Sequence, residues 1–176
     1  MKHEFAKELY FRELDRRVQL DGAPSFRVIA IGLIAGLFTQ YFKVYSGAGL
    51  PAPRVLVALA GAASICCGGA DIQIVRSYLG YDWQILAPAQ QLLGYYYELQ
   101  HYRDAYGEES DPDADSTFAD YLRLRMVEAA SANNSNNNTR SERLYSASRL
   151  IAFAVGAALL GGAVLAVDYL RLSALH

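Results

Sequence analysis

The sequence predicts an all-α membrane protein with four parts. These are an N-terminal cytosolic helix, a two-helix membrane hairpin, a cytosolic helical segment and a long C-terminal transmembrane helix. Three observations carry this prediction. Residues 150–167 are eighteen apolar residues without a charge, and at a ~1.5 Å rise they nearly cross a ~30 Å hydrocarbon core. Two weaker apolar segments, 28–45 and 55–70, flank the breaker-rich stretch 46–53 (Ser-Gly-Ala-Gly-Leu-Pro-Ala-Pro), which suits a helical hairpin. No segment alternates with the period of a strand. Composition agrees, since 53% hydrophobic and 19% charged residues make a chain of 176 apolar for a soluble domain. The boundaries read as 1–24 for the N-terminal helix, 25–75 for the hairpin, 76–139 for the cytosolic region and 140–176 for the long helix.

The N-terminal helix is expected over residues 4–20, supported by Glu8–Arg12 and Glu13–Arg17 pairs four residues apart. Its apolar seam, Phe11, Leu14 and Val18, is narrow and suits a partner helix. The charged start, Met-Lys-His-Glu, does not read as a signal peptide. Within the hairpin, Phe26 lies at one end and Tyr41, Phe42 and Tyr45 at the other, where aromatic rings favour the headgroup layer. Lys43 and Arg54 can snorkel from that second end. Six of the sixteen Lys and Arg precede residue 28, and Arg140, Arg143 and Arg149 precede the third span. That bias puts the N-terminus and residues 72–148 in the cytoplasm and the C-terminus outside.

In the cytosolic region one helix starts near Pro88 and ends at Gly107, carrying Leu92, Tyr95, Tyr96, Leu99, Tyr102 and Tyr106 at helical spacing. A second is expected from Ser116 or Thr117, with Asp120 completing a capping box and Phe118, Leu122, Met126 and Ala129 on one face. The Asn-rich tract 133–138 reads as a loop or a helix end. After it, Thr139-Arg-Ser-Glu142 has the form of a capping box that opens a helix running to about Leu172, ~50 Å long. Its first turns would stand in the cytoplasm and couple events there to the membrane.

Chemistry-bearing motifs are sparse. Five of the eighteen acids fall in 108–115, and Asp111-x-Asp113-x-Asp115 resembles the start of a calcium loop. Ser116 replaces its Gly and Leu122 its bidentate Glu, which favours a solvated acidic loop. His3, His101 and His176 have no ligand spacing, and neither a nucleophile elbow nor a phosphate-binding loop is present. The reading is therefore non-enzymatic, with no catalytic residue, cofactor or metal, and with no basic face for nucleic acid. Cys66 and Cys67 are adjacent and read as small buried side chains. The tyrosines offer either helix packing or a stacking surface for a nucleobase, and Tyr95 and Tyr102 join Phe11, Leu14 and Val18 as candidates for docking a partner.

Small residues give the most specific signal. Gly32 and Gly36 form a Gly-x-x-x-Gly pair, and Ala154, Ala158, Gly162 and Ala166 recur every four residues. Such residues let helices approach closely in lipid, within one bundle or between copies. Three spans enclose no pore, so a conducting path needs several copies. Thr39, Gln40, Ser64 and Asp71 are the polar candidates to line it, although Asp71 also reads as the end of its helix.

This layout resembles that of small multi-span bacterial membrane proteins found as effectors in anti-phage defence. The resemblance rests on Glu8-Leu-Tyr-Phe-Arg-Glu-Leu-Asp-Arg-Arg17 leading into the hairpin, on Phe118-Ala-Asp-Tyr-Leu122, and on Asn137-Asn-x-Arg140 with Leu144 entering the last span. It implies an oligomer in the bacterial inner membrane that disrupts the bilayer or conducts ions when a cytosolic protein or nucleotide triggers it. The chain lacks a recognisable nucleotide-binding domain, which points to a protein as the trigger. The competing expectation is a non-conducting anchor or regulatory subunit for a cytosolic partner.

Overall fold

A computed structural model describes residues 3–48, 52–108 and 112–173. Pro51 of the expected hairpin turn, Asp111 of the acidic loop and His176 lie outside the described residues. The elements are α1 (His3–Gly22), α2 (Pro24–Gly47), α3 (Arg54–Arg76), α4 (Ala89–Tyr106) and α5 (Ala114–Ser173). No strand occurs among the described residues. The stretches His3–Gly47, Arg54–Arg76 and Ala114–Arg171 each hold a segment long and apolar enough to cross a membrane. The all-helical class and the three apolar spans agree with the sequence.

Two compact units divide the chain. The first joins Met1–Gln19 to Tyr81–Asn138, and the second joins Leu20–Gly80 to Thr139–His176.

The second unit packs α2, α3 and the C-terminal part of α5 around Ile34, Phe38, Leu56, Ala63, Leu144 and Ala154. Pro24 opens α2 at a position where its missing N–H costs nothing. The guanidinium of Arg27 donates to the Ala23 carbonyl (2.6 Å), to the Leu144 carbonyl (3.2 Å) and to Ser148 Oγ (2.9 Å), tying α2 to α5. At the far end of α3, Arg140 Nε donates to the Ser77 carbonyl at 2.8 Å, and Arg143 donates to the Arg76 carbonyl. These two arginines satisfy carbonyls that a helix C-terminus leaves open. Arg140 is buried, and its charge is met by Asp21 at 2.6 Å. Gly80 then turns the chain with φ at +82°, a left-handed value that a side chain rarely adopts.

The first unit is smaller. Ala6 and Tyr10 of α1 pack on Met126, Ala129 and Ala130 of α5. The irregular segment 81–88 leads to α4, none of whose residues is fully buried. Tyr95 meets Tyr121 at 4.6 Å between ring centroids, and Tyr96 meets Phe118 edge-on at 5.3 Å.

Two expectations are corrected. The second cytosolic helix starts earlier than Ser116, because Asp113 caps it. Its Oδ1 accepts the Ser116 amide at 2.5 Å, and the Thr117 amide donates to its carbonyl at 3.1 Å. That bond to the Ser116 amide holds the Asp113 carboxyl below its ordinary range. The Asn tract is neither a loop nor a helix end, since α5 runs through it without a break and Thr139 lies inside the helix rather than at its start. The cause lies in what the amides hold. Asn133 donates to the Gln84 carbonyl (2.8 Å) and accepts the Gln84 amide (3.1 Å). Asn136 donates to the Asp82 carbonyl (2.8 Å), and Asn137 donates to the Glu13 carbonyl (2.9 Å) and carboxylate (3.1 Å). Asn concedes up to about 0.7 kcal/mol of helix propensity per residue against Ala. Each hydrogen bond returns roughly 1 kcal/mol net and satisfies non-helical backbone besides.

Candidate functional site

All but one of the buried positions of α5 step alternately by four and three. In the first unit the steps fall on Met126, Ala130, Asn133 and Asn137, with Ala129 buried beside them; in the second, on Arg140, Leu144, Ala147, Ile151, Ala154, Ala158 and Gly161. This spacing keeps one narrow seam against a partner. Of the stripe expected in the third span, Ala154 and Ala158 are buried within the bundle, Gly162 is half-buried and Ala166 is exposed. Gly161 continues the seam in place of Gly162: a Cβ there would stand 3.2 Å from Leu56 and 3.3 Å from Phe38 and Tyr41. A Cβ at Gly162 would press on the Tyr41 hydroxyl at 2.9 Å, which donates to the Ala158 carbonyl at 3.1 Å. Sequence reasoning missed Gly161; the signal was the three-four step that begins at Leu144.

The other small residues have a different fate. Gly32 and Gly36 are exposed, with no atom within 4 Å of where a Cβ would stand. On α2 they share one face with Thr39 and Lys43, at steps of four, three and four, opposite the buried line of Ile34, Phe38 and Tyr45. A matching row lies on α3: Gly61, Ser64, Gly68 and Asp71 are all exposed, at steps of three, four and three. Gly61 and Gly68 have open space where a Cβ would be. The sequence reading named Ser64 and Asp71 but not these glycines, which a search for four-residue spacing passes over.

These rows carry Thr39, Ser64 and Asp71, with Gln40 beside the first of them. Thr39 returns its hydroxyl to the Ala35 carbonyl at 2.9 Å and Ser64 to the Ala60 carbonyl at 2.8 Å, so both sit in an apolar medium at little cost. Among the described residues, the Gln40 amide and the Asp71 carboxylate have no such hydrogen bond. Asp71 stands five residues inside the end of α3, about one and a half turns. An amide facing lipid without a partner costs roughly 2–7 kcal/mol, which two chains that meet over it avoid.

The docking candidates divide. Leu14 packs against the core of the first unit, whereas Phe11 and Val18 are exposed, because the buried face of α1 is Ala6, Tyr10 and Glu13. Tyr95 is half-buried against α5, while Tyr102 is exposed and meets the Tyr106 ring at a 45° tilt, with centroids 5.5 Å apart. Tyr96 donates to Asp115 at 2.7 Å, and that bond raises its hydroxyl pKa above the ordinary value. Asp113 and Asp115 of the acidic loop are thus both engaged within the protein. Among the described residues, no group of three His, Cys, Asp or Glu side chains is arranged to hold a metal. Comparison with protein-family models, curated proteins and solved structures finds no match for the chain.

Proposed function

We propose that several copies of this chain assemble in a membrane through the outer faces of α2 and α3 and, when triggered, conduct ions or disrupt the bilayer. The observation that carries the reading is the outward row Gly32, Gly36, Thr39 and Lys43, with Gln40 beside it, together with Gly61, Ser64, Gly68 and Asp71 on α3. Close backbone approach across glycines is how helices associate in lipid. Polar groups in spans face protein or water, and an interface between copies supplies both. The layout supports placing the assembly in a bacterial inner membrane with the N-terminus in the cytoplasm, as a defence effector whose trigger acts on the first unit.

A second reading has its own observation. Phe11, Val18, Tyr97, Tyr102 and Tyr106 are exposed on the first unit, as an anchor for a cytosolic protein would require. Chemical crosslinking in nanodiscs separates the two. Assembly predicts oligomers that Gly36→Leu and Gly61→Leu abolish and Phe11→Glu leaves intact. A chain that stays monomeric across several nanodisc compositions sinks the first reading and leaves the second.

A further inference from the structure

We infer that the groove between the start of α2 and α5 is a site for the headgroup of an anionic phospholipid, with the lipid phosphate held by Arg27. The groove, of about 330 Å³, lies between Phe26 and Ala30 of α2 and Ile151 and Ala152 of α5. Arg27 stands in its wall. Its guanidinium donates to the Ala23 carbonyl at 2.6 Å and to Ser148 Oγ at 2.9 Å, and both of those residues also line the groove. These bonds, with the one to the Leu144 carbonyl, use the Nε hydrogen and one on Nη1, which leaves the donors of Nη2 for an anion.

Charge and depth select the occupant. Arg27 is the one charged residue in the wall, and among the described residues no carboxylate pairs with it. Asp21, the acid nearest to it in sequence, is met by Arg140 at 2.6 Å. The half-buried guanidinium therefore gives the groove a net positive charge, and its planar fork matches phosphate oxygens. Arg27 immediately precedes the apolar run 28–38, and Ser148 stands just before the run 150–167, so both helices reach the border of the hydrocarbon at this groove. Phe26, exposed beside it, supplies the aromatic ring expected at that depth. The anion that stands there in a bilayer is a lipid phosphate, and the apolar remainder of the wall suits its glycerol and first methylenes rather than a free ion. A zwitterionic lipid brings its own cation and is the poorer match. Arg27 lies on the side of α2 that carries Ile34 and Phe38, away from Gly32 and Gly36, so the site does not depend on the assembly proposed above.

Native mass spectrometry of the full chain, with phosphatidylglycerol and phosphatidylcholine of identical acyl chains, tests it. The wild type is expected to retain phosphatidylglycerol over phosphatidylcholine by about fivefold, and Arg27→Gln to reduce that preference to about twofold or less. Ala152→Trp fills the groove and keeps the arginine, and it should lose the preference as well, which keeps the site testable where Arg27→Gln loosens α2 from α5. Arg171→Gln, an exposed cation at the far end of the span, should change nothing. Equal retention of the two lipids by the wild type, a preference that survives either groove variant, or an equal loss with Arg171→Gln overturns the site. Release of the chain from membranes by alkaline carbonate would overturn membrane insertion and the site together.

Discussion

Three rows of small residues in the membrane unit look alike in composition, and one of them differs in fate from the other two. Ala154, Ala158 and Gly161 on α5 face inward, against Leu56, Phe38 and Tyr41. Gly32 and Gly36 on α2, with Gly61 and Gly68 on α3, face outward with open space beside them. A small residue is a permission for close approach, and only the fold decides whether the approaching helix belongs to the same chain. Here the chain uses one row itself and leaves the other two vacant. The vacant rows also carry Gln40 and Asp71, so they are poorly matched to plain lipid.

The largest effect is expected where a side chain is forced into the inner row. Gly161→Leu drives atoms into Leu56, Phe38 and Tyr41, all within 3.3 Å of a new Cβ. It should destabilise the bundle by about 3 kcal/mol, at the upper end of ordinary overpacking. Thermal unfolding in detergent would show this, and an unchanged midpoint would mean that α2, α3 and α5 do not pack as described. Gly36→Leu should leave the same midpoint nearly untouched, because nothing stands where its side chain would go.

A smaller effect tests the polar half of the same seam. Asn137→Leu removes the donor to the Glu13 carbonyl and carboxylate, and with both acceptors buried it should cost about 2 kcal/mol. Asn138→Ala, one residue on and exposed, should be neutral or stabilising by a few tenths of a kcal/mol through helix propensity. Hydrogen exchange at Tyr10 and Glu13 in α1 checks the pair. Equal protection in both variants would contradict the role given to the tract.

The apolar spans, the α2–α3 pairing and the extent of α4 were legible because hydropathy and breakers mark them directly. The continuity of α5 was not. Its middle seam positions are Asn133, Asn137 and Arg140, so the apolar pattern fails where the helix does not, and an Asn run reads as a loop on propensity alone. Only partners distant in sequence, Gln84, Asp82 and Glu13, make those residues suitable for a helix. The candidate site was half legible. Gly32, Gly36, Ser64 and Asp71 were found by spacing and polarity. That they face outward, while the similar residues of α5 face inward, depends on packing that no local pattern records.

Membrane potential, followed with a potential-sensitive dye in bacteria expressing the wild type or Gly36→Leu at matched membrane abundance, reads out whether the outward glycines join copies into an active assembly. Assembly through those glycines requires depolarisation by the wild type and none by Gly36→Leu, whose fold is intact. Equal depolarisation by both would contradict it, since the outward glycines would then have no part in what the protein does to the membrane.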